Sequence, residues 1–61
     1  MKELDVVKLI KEFEEFPIGT KGAIVLDYDG IYYEVEFSDS NGDTIGVFTT
    51  PHDVLELVTS N

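Results

Sequence analysis

Glu34 and Glu36 are the first residues whose type and spacing could do chemistry. They lie two apart, so on a strand both carboxylates face one side, about 7 Å apart along the backbone. Paired carboxylates can hydrolyse glycosides. That reaction also needs a concave site and one carboxyl group with a raised pKa. The outer face of so short a chain offers neither, so the pair reads as a solvated or partner-contacting surface. Asp39-Ser40-Asn41-Gly42-Asp43 has the residue types of a calcium loop. Its glycine stands fourth instead of sixth, and Thr50 stands where the bidentate glutamate belongs. Asp, Asn and Gly form turns, and a hairpin turn accounts for the stretch. His52 is the single histidine, and there is no cysteine to share a metal with it. Ser38, Ser40 and Ser60 make no nucleophile motif. Gly19-Thr20-Lys21-Gly22 is too short for a phosphate loop and leads into strand-like Ala23-Ile24-Val25-Leu26. No catalytic residue, cofactor or metal is expected, and the protein is not expected to be an enzyme.

The elements that must position the glutamates are legible around them. Tyr32-Tyr33-Glu34-Val35-Glu36-Phe37 alternates with a period of two and reads as the middle strand of an antiparallel sheet. Tyr33, Val35 and Phe37 point to the core; Tyr32, Glu34 and Glu36 point outward. Asp29-Gly30 supplies the positive φ angles of a tight hairpin joining strand 23–28 to strand 31–38. The Asp39–Asp43 turn leads to a strand from Thr44 to Thr49, where Gly46 suggests a bulge or a close backbone approach. The two turns lie at opposite ends of the strand between them, so Asp27 and Asp29 cannot join Asp39 and Asp43 in one site. Thr50 can cap a short helical turn, with Pro51 at its first position and Asp53 reaching back. Leu55 to Val58 then closes as a last short strand. The alternative is one helix from Pro51 to Thr59, which Val54, Leu57 and Val58 also fit. At the other end, Val6, Leu9, Ile10, Phe13 and Phe16 fall at helical spacing. The β-branched Val6-Val7 pair favours a strand instead.

Sixty-one residues make one domain, residues 1–61. A chain this short buries only about 60% of the surface its unfolded form exposes. Thirteen acidic residues face four lysines and no arginine, a formal net charge of −9. That field repels phosphate backbones and anionic membrane surfaces, which argues against a nucleic-acid or membrane partner. It favours a basic protein partner, or plain solubility. Met1-Lys2-Glu3-Leu4-Asp5 carries acid where a signal peptide needs a basic start, and no apolar run could span a membrane. A cytoplasmic location is expected.

The element order is short strand, long loop, strand, turn, strand, turn, strand, helical turn, short strand, and it resembles an SH3-like barrel. More closely, the chain resembles a small bacterial family, the domain of unknown function four-nine-two-six. The resemblance rests on Leu4-Asp5-Val6-Val7, Gly19-Thr20-Lys21-Gly22-Ala23-Ile24-Val25, Tyr33-Glu34-Val35-Glu36-Phe37 and Gly42-Asp43-Thr44-Ile45. It implies that Leu4–Leu9 is a strand, against the helical periodicity, and that Ile10 to Gly19 is a long looping arm. It implies no activity. Family members look like companions of toxin-type proteins, which implies an immunity or antidote role. Lys11 to Phe16 departs from the family pattern, being acidic and helix-prone. The glycine block is also similar to KOW-type barrels, which bind RNA with basic loops. Here the loops carry Asp27, Asp29, Asp39 and Asp43, so that function does not transfer.

The expectation is therefore a mainly β protein: a small five-stranded antiparallel SH3-like barrel with one short helical turn near the C-terminus. Its core is expected to hold Val7, Leu9, Ile24, Val25, Tyr33, Val35, Phe37, Ile45, Val47, Leu55 and Leu57. Its function is expected to be non-catalytic binding of a basic protein, through Tyr32, Glu34, Glu36, Tyr28 and Asp43. A KOW-like nucleic-acid barrel, or a structural domain that self-associates through exposed strand edges, is the rival expectation.

Overall fold

In the computed structural model, which describes residues 1–60, the chain forms five antiparallel strands in one sheet and one short 3₁₀ turn. The strands are β1 (Val6–Leu9), β2 (Lys21–Asp27), β3 (Tyr32–Ser38), β4 (Thr44–Pro51) and β5 (Leu55–Thr59). Their order across the sheet is β4-β3-β2-β1-β5, so β4 and β5 are the edges and β2 is central. The sheet curls into a small barrel-like fold around one apolar cluster. The C-terminal stretch is a turn plus a strand: His52–Val54 is 3₁₀ and β5 follows. A single helix from 51 to 59 is excluded.

Alternation on β3 carries the fold. Tyr33, Val35 and Phe37 are buried while Tyr32 and Glu36 are exposed, as the period of two requires. Val7, Leu9, Ile24 and Leu55 complete the buried core. Four residues expected there are out in solvent, each for a definable reason. Val25 and Ile45 are the extra residues of β-bulges. Ile24 pairs with Val35 and Leu26 with Glu34, which leaves Val25 unopposed. Phe37 pairs with Gly46 and Ser38 with Thr44, which leaves Ile45 unopposed. After that bulge the face of β4 is reversed. Directly opposed residues share a face, so Gly46, Phe48 and Thr50 point inward with Phe37, Val35 and Tyr33, and Val47 points out with Glu36. Leu57 stands opposite Val7 but on edge strand β5, where nothing covers half of its surface.

The N-terminal strand is shorter than expected. Leu4 has a φ of +72° and lies outside β1. Asp5 is buried, and its carboxylate accepts hydrogen bonds from the Lys2 backbone N–H and the Lys2 ammonium, both at 2.9 Å. The arm after β1 is not helical. Phe13 and Phe16 exchange backbone hydrogen bonds of 3.1 and 2.8 Å, and Glu14 and Glu15 between them have φ values of +49° and +69°. Two successive positive φ angles mark a type I′ hairpin turn. This small hairpin folds two aromatic rings over the core. Phe16 lies 5.3 Å from Phe37 and 5.5 Å from Phe48, and Phe13 lies 6.4 Å from Phe37. Backbone bonds from Ile10 to Val54 and from Gly19 to Leu9 tie the arm down at both ends.

The other turns also differ in detail. Between β2 and β3 only Gly30 has a positive φ, +81°, so this is a wider turn than a two-residue I′ loop. Asp27 and Asp29 hold it, accepting from the N–H groups of Gly30, and of Ile31 and Tyr32. Neither Thr50 nor Asp53 caps the 3₁₀ turn, whose preceding residue is Pro51 with no side-chain cap bond. Thr50 is fully buried instead, and its hydroxyl donates to the Phe48 carbonyl at 2.9 Å.

Candidate protein-contact face

Glu34 and Glu36 lie side by side on the outer face of β3, in the centre of a three-strand surface. Cross-strand register places Leu26 and Thr49 beside Glu34, and Ala23 and Val47 beside Glu36. Both flanking strands thus place apolar or hydroxyl side chains directly beside the two glutamates, and the cation that β2 brings to this face, Lys21, stands one pair further along, opposite Ser38. The ion pairs among the described residues are Lys2–Asp5 and Lys8–Glu56, so neither Glu34 nor Glu36 is neutralised by one.

Glu34 is fixed in place. The Tyr28 hydroxyl donates to one of its carboxylate oxygens at 2.7 Å, and the Thr49 hydroxyl donates to the other at 3.2 Å. Tyr28 and Tyr32 are each about half exposed, at 53% and 47%. The structure therefore brings Tyr28, Tyr32, Glu34 and Glu36 together. Asp43 stands apart from them. It sits in the β3–β4 turn, at the end of β3 opposite Tyr32, where its N–H donates to Asp39. Asn41 donates to the same Asp39 oxygen, so the turn's polar groups organise the backbone. Sequence reasoning missed Thr49, Val47 and Leu26 as parts of the face. Only the β4 register and the β2 bulge reveal them, since alternation alone sends Val47 inward.

The Tyr28–Glu34 contact has a titration signature. The hydrogen bond to Glu34, then desolvation and the carboxylate's charge, push the Tyr28 phenol above its ordinary value near 10. Burial, with Asp27 and Asp29 nearby, does the same to Tyr33. A phenol held protonated in the folded state contributes stability that is complete below pH ~10 and is lost as pH rises through the folded value. Glu34→Gln is expected to bring Tyr28 down towards its ordinary value and leave Tyr33 unmoved, followed by NMR of the ring carbons during an alkaline titration. Unfolding midpoints of this variant should also fall less steeply above pH ~10. An unchanged Tyr28 titration would show that the contact is absent in solution.

A second surface feature lies at the far end of the barrel. An open groove of about 770 Å³ runs between the arm and the β3–β4 turn, lined by Pro17, Ile18, Lys21, Asp39 and Ile45 among others. Among the described residues no group of three or more His, Cys, Asp or Glu could hold a metal ion. Among the same residues, no helix is long and apolar enough to cross a membrane.

The family described as "Domain of unknown function (DUF4926)" matches residues 3–57, nearly the whole chain. The chain belongs to this family. No curated protein and no solved structure matches it. The matched span covers all of β1 to β4, the arm, and the start of β5. The face around Glu34 and Glu36 therefore lies within the DUF4926 region. Family membership supplies no activity, and the geometry of the face is left to carry the functional reading.

Proposed function

We propose that the chain is a non-catalytic protein-binding module that takes a basic partner on the face of Glu34, Glu36, Tyr28 and Tyr32. The observation that carries this reading is the pair of carboxylates with no ion-pair partner, flanked by half-exposed tyrosines and by Val47 and Leu26. Tyrosine is a strong interface anchor, because it offers a large rigid surface and a polar tip. A field of net charge −9 speeds encounter with a cation-rich surface and rejects acidic competitors. The sharpest form of the proposal is an immunity protein that neutralises a basic toxin, such as a nuclease.

The nucleic-acid reading lacks a comparable observation. Lys2 is engaged by Asp5 and Ser60, and Lys8, paired with Glu56, has only Lys21 beside it, two adjacent lysines in a chain of thirteen acidic residues. Co-purification with the product of the adjacent gene, at low and at high salt, tests the proposal. A basic partner that is retained at low salt and released at high salt is the expected result. Exchanging Glu34 or Glu36 for Gln should weaken binding by about 1 kcal/mol each, roughly fivefold. Salt-independent binding, or tight binding of RNA or DNA at low salt, would sink the proposal.

A further inference from the structure

Edge strand β4 is unlike the rest of this surface. From Thr44 to Pro51 it carries no charged residue, in a chain where 28% of residues are charged. It is also the longest strand, at 8 residues. Proteins shield edge strands with lysines, internal prolines, bulges or short length, because an open row of N–H and C=O groups recruits another strand. Here the bulge at Ile45 and Pro51 confine that protection to the two ends of β4. Between them, Gly46 to Thr50 pairs with β3 in unbroken register and leaves its other side open. The opposite edge, β5, is shorter, carries Glu56, and has its register broken at Val58.

Resting on the acidic-face reading above, we infer that the partner engages by strand addition: an extended segment bearing lysine or arginine at alternate positions pairs with Gly46–Thr50. The occupant follows from charge complementarity. Glu36 is directly opposite Val47, and Glu34 is directly opposite Thr49. The Thr49 hydroxyl reaches the Glu34 carboxylate, so that negative charge extends over β4 itself. The outward side chains of an added strand line up beside Val47 and Thr49. Long cationic side chains there lay their aliphatic stems on Val47 and present their charge to Glu36 and Glu34. A second copy of this chain is disfavoured by the same arithmetic, since it would bring another −9 alongside.

The test is amide hydrogen exchange on the isotope-labelled full chain, with and without an end-blocked Lys-Val-Lys-Val-Lys-Val peptide. A Glu-Val-Glu-Val-Glu-Val peptide serves as control. The expected result is slowed exchange within Gly46–Thr50 on adding the cationic peptide alone, with β5 amides unchanged. Val47→Lys, a substitution at an exposed site, should weaken this binding about tenfold while leaving the melting temperature in place. Cationic peptide binding without protection of β4 amides would overturn strand addition and leave the acidic-face reading standing. No binding of the cationic peptide overturns the inference as well, and the salt-dependent co-purification then decides the broader reading separately. Protection that rises with protein concentration in the absence of peptide would make a second copy the occupant and would also overturn it.

Discussion

Phe37→Ala is expected to leave the protein largely unfolded at room temperature. Phe37 is the largest of the fully buried side chains, and the Phe13 and Phe16 rings of the arm both pack on it. Truncating a buried phenylalanine costs about 3–5 kcal/mol, from lost transfer energy and the cavity left behind. A core in a chain of this length supplies about 3–5 kcal/mol in all. The two figures are of the same size, and no disulfide stands in reserve. The cavity would also open beneath the arm, leaving its rings only the Phe16–Phe48 contact. Urea titration followed by circular dichroism checks this directly. Phe37→Leu, closer in volume, should cost about 1 kcal/mol and keep a cooperative transition. A loss below about 1 kcal/mol for the alanine variant would show that the arm's rings do not depend on Phe37.

What the chain shows before folding is uneven, and the unevenness is physical. β3 is plain because its alternation is unbroken, and each of its faces has one chemical character. β4 and the end of β2 mislead because a bulge inserts one residue. That reverses the inward and outward assignment of everything beyond it, and no residue type announces it except Gly46. The arm misleads for a different reason. Phe13 and Phe16 fall at helical spacing, yet their separation of three is also that of two residues flanking a two-residue turn. Glutamate has no preference for the positive φ that Glu14 and Glu15 adopt, so composition favours the helix. Tertiary packing of the two rings on Phe37 and Phe48 decides for the turn. The candidate face was legible in its β3 half for the same reason that β3 was. Its β4 half depended on a register that alternation assigns wrongly. Asp43, grouped with the face by charge alone, lies at the other end of β3 because charge says nothing about distance.

Gly22→Ala is expected to destabilise the fold by about 1–3 kcal/mol, the range for forcing extra volume into a close-packed site. A glycine at the entry to a strand commonly serves to bend the backbone. The positive-φ neighbours of Gly22 in the chain are Gly19 and Gly30, whereas Gly22 itself sits inside β2 in no such conformation. What it supplies is space. A Cβ there would stand 2.7 Å from Val35 Cγ1, 2.9 Å from the Glu36 carbonyl oxygen and 3.1 Å from Phe37 Cδ1. Val35 is stiff at χ1, and a carbonyl oxygen moves only with its strand, so neither neighbour can yield cheaply. Alanine would recover part of the entropy that glycine loses, by roughly 0.5–1 kcal/mol, and the steric cost must exceed that. A double-mutant cycle separates the two contacts. In a Val35→Ala background the Gly22→Ala penalty should shrink without vanishing, because the Glu36 carbonyl remains. An additive cycle would mean that Val35 is not the obstacle. The contact with Glu36 also links this core position to the outer face. Pushing that carbonyl away from β2 shifts the backbone carrying both Glu34 and Glu36, so partner affinity should fall along with stability. A variant that is destabilised yet binds normally would place the strain on Val35 and Phe37 alone.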